Sequence, residues 1–280
     1  MEIDCNTVLE SGSFAPETAA SSPASLRVVD WNIERGQRLD DVVDFLARAD
    51  ADLVLLQEVD VNARRTHRLN VAREIAQKLR MNFVFGCEFI ELTQGSPLST
   101  AYHGQATLSR WRFSNHRIIR FQRQSTFWRP RWFLPEIPPL QTRLGGRMAL
   151  VTELDLGGRP LVAYNLHLES RGDTNLRRAQ IAECLEDAKR FDGKTPIVLA
   201  GDLNLDVARG DTNSDFSHAE FENPFAAVHA PTAHGRMLEH GISIDWIFTR
   251  GPIIASQPQV HSATTASDHY PLSLVVDFVS

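Results

Sequence analysis

Apolar runs that end abruptly in short polar side chains recur along this chain. Residues 196–200 (PIVLA) form one such run, and Gly201, Asp202 and Asn204 follow it directly. A run of this length predicts a buried strand, and the glycine with its oxygen-bearing neighbours predicts where the strand ends. The pattern therefore predicts a carboxylate and a carboxamide at the rim of a sheet, where α/β proteins often place their chemistry. An ordinary strand followed by an Asp/Asn turn gives the same pattern. The choice between a functional rim and an ordinary turn therefore depends on other segments of the chain.

The periodicity of the remaining chain predicts strands that alternate with helices. Strands are predicted at 26–31, 53–56, 83–85, 147–154, 160–168, near 242–248 and at 270–278, with a hairpin or meander over 106–121. Helices are predicted at 40–49, at 66–79 and after a capping Asp173 or Thr174. The proline-bearing residues 128–140 are predicted to be irregular. This order favours an α/β protein in which two packed sheets carry helices on both outer faces.

The composition is that of an ordinary globular protein. The chain has 280 residues, of which 42% are hydrophobic and 23% are charged, enough for a large core. No linker or internal repeat interrupts residues 26–278. We therefore expect a flexible N-terminal tail over residues 1–25 and a single domain over residues 26–280.

Three cysteines, Cys5, Cys87 and Cys184, are spaced too widely for a disulfide framework or a zinc motif. They are typical of free thiols in a reducing compartment. No apolar stretch approaches the roughly 20 residues of a transmembrane helix, and the acidic first residues do not resemble a secretory signal. We expect a cytoplasmic protein, and a monomer.

Seven short segments carry the candidate chemistry and follow one another in a recognisable order. They are 30–33 (DWNI), 56–59 (LQEV), 104–110 (GQATLSR), 165–168 (NLHL), 201–204 (GDLN), 244–247 (IDWI) and 267–272 (SDHYPL). Each alone is a short match, but together they resemble the motifs of the endonuclease/exonuclease/phosphatase superfamily. These metal-dependent phosphodiesterases and phosphatases include pancreatic-type deoxyribonucleases, apurinic endonucleases and neutral sphingomyelinases. The resemblance implies a four-layer α/β/β/α sandwich of two mixed sheets flanked by helices.

The resemblance assigns the metal ligands to Asn32 and Glu58. Each residue ends an apolar strand, and the matching residues of the superfamily hold the metal. Mg²⁺ suits such a site because it needs only one or two carboxylates besides water, and Mn²⁺ is expected to substitute. A strand-end turn at Asn32 and a solvated strand terminus at Glu58 are the structural alternatives.

Two further segments, 201–204 and 267–272, supply catalytic candidates. The resemblance implies that Asp202 orients and deprotonates the attacking water and that Asn204 donates to a phosphoryl oxygen. His269 is expected to contact the phosphate or to act as acid and base. Asp268 is expected to pair with it or to lie near the metal. A carboxylate partner raises the pKa of a histidine and fixes its tautomer, as such a role requires.

His167 and Asp245 both lie within apolar strands. A hydrogen-bonded core histidine is the structural alternative at His167, but its match to the superfamily implies a phosphate contact. An unpaired carboxylate would be costly to bury at Asp245. We therefore expect Asp245 to orient a histidine, either His167 or His269.

The remaining assignments are Arg147 and His103 as substrate contacts. Arg147 opens a strand where family members often carry an arginine near the substrate, whereas His103 is either a substrate contact or a plain loop histidine. The chain departs from the family pattern at Gln105, where asparagine is usual. A substrate contact through Gln105 is therefore in doubt.

Charge is distributed unevenly along the chain. Residues 110–147 hold nine arginines and one acid, a net +8 within a chain of net −6. Trp111, Trp128, Trp132 and Phe133 lie among them. Interleaved arginines and aromatics suit the phosphates and bases of nucleic acid, but they also suit a lipid surface or the solvated outer face of strands. Nucleic acid is favoured slightly over lipid because no long apolar loop is evident.

The sequence thus predicts a Mg²⁺-dependent phosphodiesterase that acts by in-line attack of water, nuclease-like on nucleic acid. The alternative is a phosphodiesterase of phospholipid or sphingolipid headgroups, or a small-molecule phosphatase of the same superfamily. A binding module that has lost turnover would show replacements among the key positions. None is replaced at Asn32, Glu58, Asp202, Asn204, Asp268 or His269.

Overall fold

A computed structural model describes residues 5–7, 9–16, 22–96, 98–125, 143–209, 211–234 and 241–279. The strands are β1 (Leu9–Gly12), β2 (Ser25–Arg35), β3 (Leu53–Val61), β4 (Asn82–Glu91), β5 (Tyr102–Ser109), β6 (Arg112–Arg120), β7 (Arg143–Gly145), β8 (Met148–Asp155), β9 (Pro160–His167), β10 (Ile197–Asp202), β11 (Asp245–Arg250), β12 (Ile253–Val260) and β13 (Leu272–Phe278). The α-helices are α1 (Leu39–Ala49), α2 (Val71–Leu79), α3 (Thr174–Ala188) and α4 (Thr212–His218). None of these described helices has the length and hydrophobicity of a membrane span.

The described strands form two mixed sheets. The first sheet has the order β1-β4-β5-β3-β2-β13-β12, with β7 paired to β4, and the second has the order β11-β10-β9-β8-β6. Each sheet contains one parallel pair, β2 with β3 in the first and β9 with β10 in the second. The carboxyl ends of these parallel pairs carry the motif residues, so both sheets can contribute to one rim.

The two faces of the first sheet pack against different partners. On β2, Val29 and Trp31 belong to a buried cluster with apolar side chains of α1 and α2. Leu26 and Val28, which point the other way, belong to the cluster that contains the second sheet. This alternation follows from the twofold side-chain period of a strand. The first sheet therefore lies between a helical layer and the second sheet.

Helices also cover the outer face of the second sheet. The Tyr164 hydroxyl on β9 donates to Asp187 of α3 over 2.7 Å. Phe248 on β11 stacks on Phe216 of α4 with ring centroids 3.7 Å apart. The four-layer α/β/β/α sandwich implied by the sequence motifs is thus confirmed.

The helix boundaries follow local capping chemistry. The Asn70 side chain accepts a hydrogen bond from the Arg73 amide, so α2 begins at Val71 rather than at residue 66. Residues 64–66 instead form a short 3₁₀ turn. Asp173 caps α3 by accepting from the Leu176 amide, as one of the two predicted capping residues.

The predicted hairpin over residues 106–121 is wrong. β5 pairs with β3 and β4 in the first sheet, whereas β6 pairs with β8 in the second. The chain crosses between sheets at residues 110–111, where Asn82 donates to the Trp111 carbonyl and Arg110 donates to the Ala51 carbonyl. Periodicity indicates which face of a strand is apolar but not which strand is its partner. The antiparallel pair β8 and β9, by contrast, is confirmed.

Part of the predicted N-terminal tail belongs to the first sheet. β1 pairs antiparallel with β4, and Cys5 is buried with its Sγ 3.0 Å from that of Cys87. Glu10 contacts Asn70 and Arg73. The polar sequence of β1 gives no alternating signal, so its pairing could not be predicted from periodicity. The prediction for residues 128–140 lies outside the described residues.

Candidate functional site

The second sheet places three candidate residues side by side at one rim. Asp202 at the end of β10 lies opposite His167 of β9 and opposite Asp245 of β11. Because β11 runs antiparallel, its first residue lies at the same rim as the last residues of β9 and β10. The backbone approach is close at Gly201, which has φ of +148°. A Cβ there would lie 1.9 Å from the Leu166 carbonyl oxygen.

Asp202 is the centre of the site. Its Oδ2 accepts a hydrogen bond from Asn32 Nδ2 over 3.1 Å. His167 Nε2 lies 3.5 Å from the same oxygen, and His269 Nε2 lies 3.8 Å from it. Its other oxygen, Oδ1, accepts from the Asn204 amide over 2.9 Å. The structure thus brings residues from both sheets around one nearly buried carboxylate.

His269 is paired with Asp245 rather than with Asp268. Its Nδ1 lies 2.9 and 3.0 Å from the two Asp245 oxygens, and the Thr232 hydroxyl donates to Asp245 Oδ2 over 2.6 Å. Burial alone would lower the pKa of His269, but the charges of Asp245 and Asp202 outweigh it and raise the pKa to about 10. Of the two sequence-based alternatives for Asp245, the contact is therefore with His269.

A second carboxylate contacts His167, and sequence analysis missed it. Glu88 of β4 is fully buried, with Oε2 3.3 Å from His167 Nδ1. Burial would raise the pKa of Glu88, but His167 and Arg147 outweigh it and lower the pKa to about 2. Glu88 could have been found from the sequence, because it stands between apolar residues and burying an unpaired carboxylate is costly.

Arg147 fixes the orientation of His167. Arg147 Nη1 lies 2.8 Å from His167 Nδ1 and 3.3 Å from both oxygens of Glu88. Arg147 and Glu88 both contact Nδ1, so together they orient the ring with Nε2 facing Asp202. Arg147 was predicted as a substrate contact, and in the structure it contacts the catalytic candidate His167.

Glu58 lies where β3 is interrupted by a bulge. The register of β3 shifts against both β2 and β5 at this residue, and its φ is +52°. Its carboxylate lies 3.4 Å from Arg35 Nη1. Burial would raise the pKa of Glu58, but the charges of Arg35 and His103 outweigh it and hold the pKa well below its usual value. Glu58 is thus an ionised carboxylate beside the rim, and it lies next to Gln57, the strand partner of Asn32.

His103 is not a loop histidine. It is fully buried on β5, its Nδ1 lies 2.9 Å from Asp60 Oδ1, and its Nε2 lies 4.0 Å from Glu88 Oε2. Arg65 donates to both oxygens of the same Asp60. The side chain supports the Glu88 region from inside the sheet, and its contact with substrate stays a prediction.

Asn204 and Gln105 make contacts within the protein. Asn204 has φ of +49°, and its Nδ2 donates to the Leu168 carbonyl over 3.1 Å. Gln105 donates to the Met148 carbonyl and accepts from the Leu150 amide, so it bridges the two sheets. The doubt about Gln105 as a substrate contact is therefore supported by its structural role.

The residues at the rim suit a divalent cation. One ligand atom from each of Asp202, Asp245 and His269 lies within 4.8 Å of the others. Carboxylate oxygens are donors that hard cations prefer. This group of side chains could therefore hold a metal ion.

Five of the seven described arginines of residues 110–147 make contacts within the protein. They pair with acids or carbonyl groups as follows: Arg110 with Asp50 and Asp52, Arg117 with Asp187, Arg120 with the Cys87 and Glu88 carbonyls, Arg143 with Glu91, and Arg147 with Glu88. These contacts favour the structural explanation for the five arginines concerned. Arg129, Arg131, Trp128, Trp132 and Phe133 lie outside the described residues.

Comparison with known proteins identifies the family of this chain. The profile of the Endonuclease/Exonuclease/phosphatase family matches residues 31–269. No curated protein matches the chain. Its fold is similar to that of the endonuclease/exonuclease/phosphatase from Beutenbergia cavernae, with a TM-score of 0.67 and 18% identity over 92% of this chain and 72% of that one.

Two further solved structures share the fold. The endonuclease/exonuclease/phosphatase from Bacteroides vulgatus gives a TM-score of 0.64 at 18% identity, over 91% of this chain and 100% of that one. Humanized TDP2 from D. rerio gives 0.62 at 16% identity, over 91% and 100%. The extent of the family match and the geometry of the rim lead to one conclusion: the chain belongs to the Endonuclease/Exonuclease/phosphatase family of metal-dependent hydrolases of phosphoric esters.

Proposed function

We propose that this protein is a Mg²⁺-dependent phosphodiesterase that directs water at phosphorus, with nucleic acid as its favoured substrate. One observation carries the proposal. The Asp202 carboxylate faces the Nε2 atoms of His167 and His269, and each histidine has a carboxylate at its Nδ1. Two carboxylate–histidine pairs around a third carboxylate provide both a proton acceptor and proton donors at one point.

Each residue has a distinct task in this proposal. Asp202 orients the water and accepts its proton, while Asn32 Nδ2 holds the acceptor oxygen in place. His269, whose pKa is raised to about 10, remains protonated at neutral pH and donates to the phosphoryl group or the leaving oxygen. His167 directs its Nε2 toward the same centre, held there by Arg147 and Glu88.

The cation is assigned to the carboxylate and amide oxygens of the rim. Glu58 and Asn32 are the proposed ligands, and Asp202 and Asp245 offer further carboxylate oxygens close to one another. A bound divalent cation supplies charge neutralisation on the phosphoryl oxygens. Asp268, next to His269 in the chain, remains a proposed contributor of negative charge near the cation.

The substrate proposal rests on charge. The net +8 of residues 110–147 favours a polyanion, although the paired arginines described above reduce the number available for it. A phospholipid or sphingolipid headgroup phosphodiesterase remains the second candidate, since arginines and tryptophans also suit a lipid surface. We further propose a monomer and a cytoplasmic location, the latter supported by the buried thiols of Cys87 and Cys184.

The test is turnover of a bis-aryl phosphodiester with Mg²⁺ or Mn²⁺, with and without a chelator. Asp202→Asn is expected to lower kcat by roughly 10²–10⁴-fold, the usual contribution of general-base catalysis. Asp206→Asn is the matched control, because Asp206 lies on the loop that follows β10 and its carboxylate contacts the Ala208 amide and Arg209. Cation-independent turnover, or equal rates for Asp202→Asn and wild type, would refute the proposal.

A second measurement separates the substrate classes. Single-stranded DNA, RNA and mixed lipid vesicles are offered at equal phosphate concentration, with and without chelator. We expect chelator-sensitive cleavage of nucleic acid. Cleavage of the vesicles alone would reverse the order of the two candidates.

A further inference from the structure

The backbone next to the proposed cation site is unusually strained. Glu34, Arg35 and Gly36 have φ values of +45°, +69° and +74° in succession, and two of the three carry side chains that disfavour this region. The register between β2 and β3 shifts at this point. Such strain persists only where the surrounding structure imposes it, and it concentrates at functional sites.

The strained turn directs Arg35 at Glu58. Arg35 Nη1 lies 3.4 Å from Glu58 Oε2, and the two side chains retain 18% and 21% of their exposure. Arg35 Nε is buried and has no hydrogen-bond partner among the described residues. A guanidinium carries five N–H donors in a planar fork, so this fork has buried donor capacity that the ion pair with Glu58 does not use.

We propose that Arg35 is an oxyanion-binding residue of this site, which neutralises Glu58 in the free protein and binds a phosphoryl oxygen once a cation engages Glu58. This inference rests on the proposed function. A guanidinium and a divalent cation compete for one carboxylate, and the guanidinium fork matches two oxygens of a phosphate. The buried Nε then gains the acceptor that it lacks in the free protein.

An unused buried donor does not by itself distinguish Arg35, because Arg65 Nη1 and Arg250 Nε are also buried without a hydrogen-bond partner among the described residues. Each of those two arginines, however, is held by several contacts: Arg65 donates to Asp60 and Glu91, and Arg250 donates to the Ala188 and Phe191 carbonyls. Arg35 instead combines backbone strain, one long ion-pair contact and a buried donor without an acceptor.

Two titrations without turnover test the inference in opposite directions. In the first, Mn²⁺ alone is titrated into the protein by calorimetry. Arg35→Met is expected to bind Mn²⁺ roughly two- to fivefold more tightly than wild type, the size expected when a partly exposed ion pair no longer competes. In the second, inorganic phosphate is titrated at saturating Mn²⁺, and Arg35→Met is expected to bind it at least about tenfold more weakly.

Matched variants control for charge and folding. Arg48→Met removes the same charge from an exposed position on α1, and neither titration should change. Arg35→Lys keeps the charge but loses the fork, so phosphate affinity should fall by less than in Arg35→Met while Mn²⁺ affinity stays near wild type. Circular dichroism melts establish that each variant is folded, and Arg35→Lys keeps the test decisive if Arg35→Met does not fold.

The outcomes separate this inference from the proposed function. Unchanged phosphate affinity in the folded Arg35 variants, or the absence of Mn²⁺ binding to wild type, overturns the inference. Opposite shifts of Mn²⁺ and phosphate affinity support it. If those shifts occur but wild type turns over no phosphodiester, Arg35 binds the oxyanion as inferred and it is the proposed function that fails.

Discussion

At the scale of single residues, the site depends on how each charge is compensated. Asp245 and Glu88 are buried carboxylates whose partners are His269, His167 and Arg147. Removing one member of such a pair leaves the other buried without compensation, which is more costly than never having buried the pair. Substitutions at these positions should therefore change pKa values and stability as well as turnover.

The first prediction concerns the protonation of His269. Its pKa is raised from 6.5 to about 10, so its contribution to the free energy of unfolding is complete below pH 6.5 and is lost as the pH rises toward 10. Asp245→Asn removes a principal cause of the shift, and burial then lowers the pKa. Imidazole NMR of the cation-free protein should show His269 charged at pH 8 in wild type and neutral in Asp245→Asn. A ring that titrates identically in both would contradict the assignment.

The second prediction concerns Glu88. Its pKa is lowered from 4.5 to about 2, so its stabilisation is present above pH 4.5 and is lost as the pH falls toward 2. Glu88→Gln leaves Arg147 buried without its carboxylate, and we expect a loss of about 3–5 kcal/mol at pH 7. The difference from wild type should shrink at pH 2–3 in urea unfolding experiments. Glu186→Gln, at an exposed position on α3, should change stability little at either pH.

At the scale of elements, the sequence predicted a strand correctly where an apolar run is followed directly by glycine and a short polar residue. β10 was predicted from its apolar run, and its final residues Gly201 and Asp202 do lie at a rim. β4 runs from Asn82 to Glu91, beyond the predicted 83–85, because Glu88 and Glu91 are buried within ion pairs. Their partners lie on strands distant in sequence, and no local pattern can reveal such compensation.

The third prediction tests the close approach of β9 and β10. A Cβ at Gly201 would lie 1.9 Å from the Leu166 carbonyl oxygen, and φ there is +148°. Gly201→Ala must therefore push β10 from β9, and we expect a loss of more than about 2 kcal/mol in unfolding free energy, with displacement of Asp202. Gly193→Ala is the control, because nothing lies within 4 Å of a Cβ there. Similar melting temperatures for the two variants would refute this reasoning.

At the scale of the whole molecule, the site exists only because two sheets share one rim. The first sheet supplies Asn32 and Glu58, and the second supplies His167, Asp202 and Asp245. The family motifs could indicate that these residues meet, whereas periodicity alone could not, as the misassigned pairing of β6 demonstrates. Because the proposed site spans the interface between the two sheets, the contacts that fix one sheet against the other also position its residues.

Asn165 is the clearest of these contacts and carries the fourth prediction. From β9 its Nδ2 donates to the Leu56 and Ala106 carbonyls of the first sheet, and its Oδ1 accepts from Gln57. Asn165→Ala removes these three hydrogen bonds from the buried interface between the two sheets, and each buried group left without a partner costs about 1–3 kcal/mol. We expect a loss of several kcal/mol in urea unfolding.

The catalytic consequence of Asn165→Ala follows from the geometry of the rim. Loosening the interface between the two sheets shifts Asn32 relative to Asp202. The hydrogen bond of 3.1 Å between these two residues joins the sheets. At a temperature where the variant remains folded, kcat should fall at least about tenfold, because misplacement of reacting groups by about 1 Å costs as much as 10²-fold. Asn175→Ala, at an exposed position on α3, should leave both stability and kcat unchanged. A destabilised Asn165→Ala enzyme with wild-type kcat would mean that the rim is held by local contacts alone and not by the packing of the two sheets.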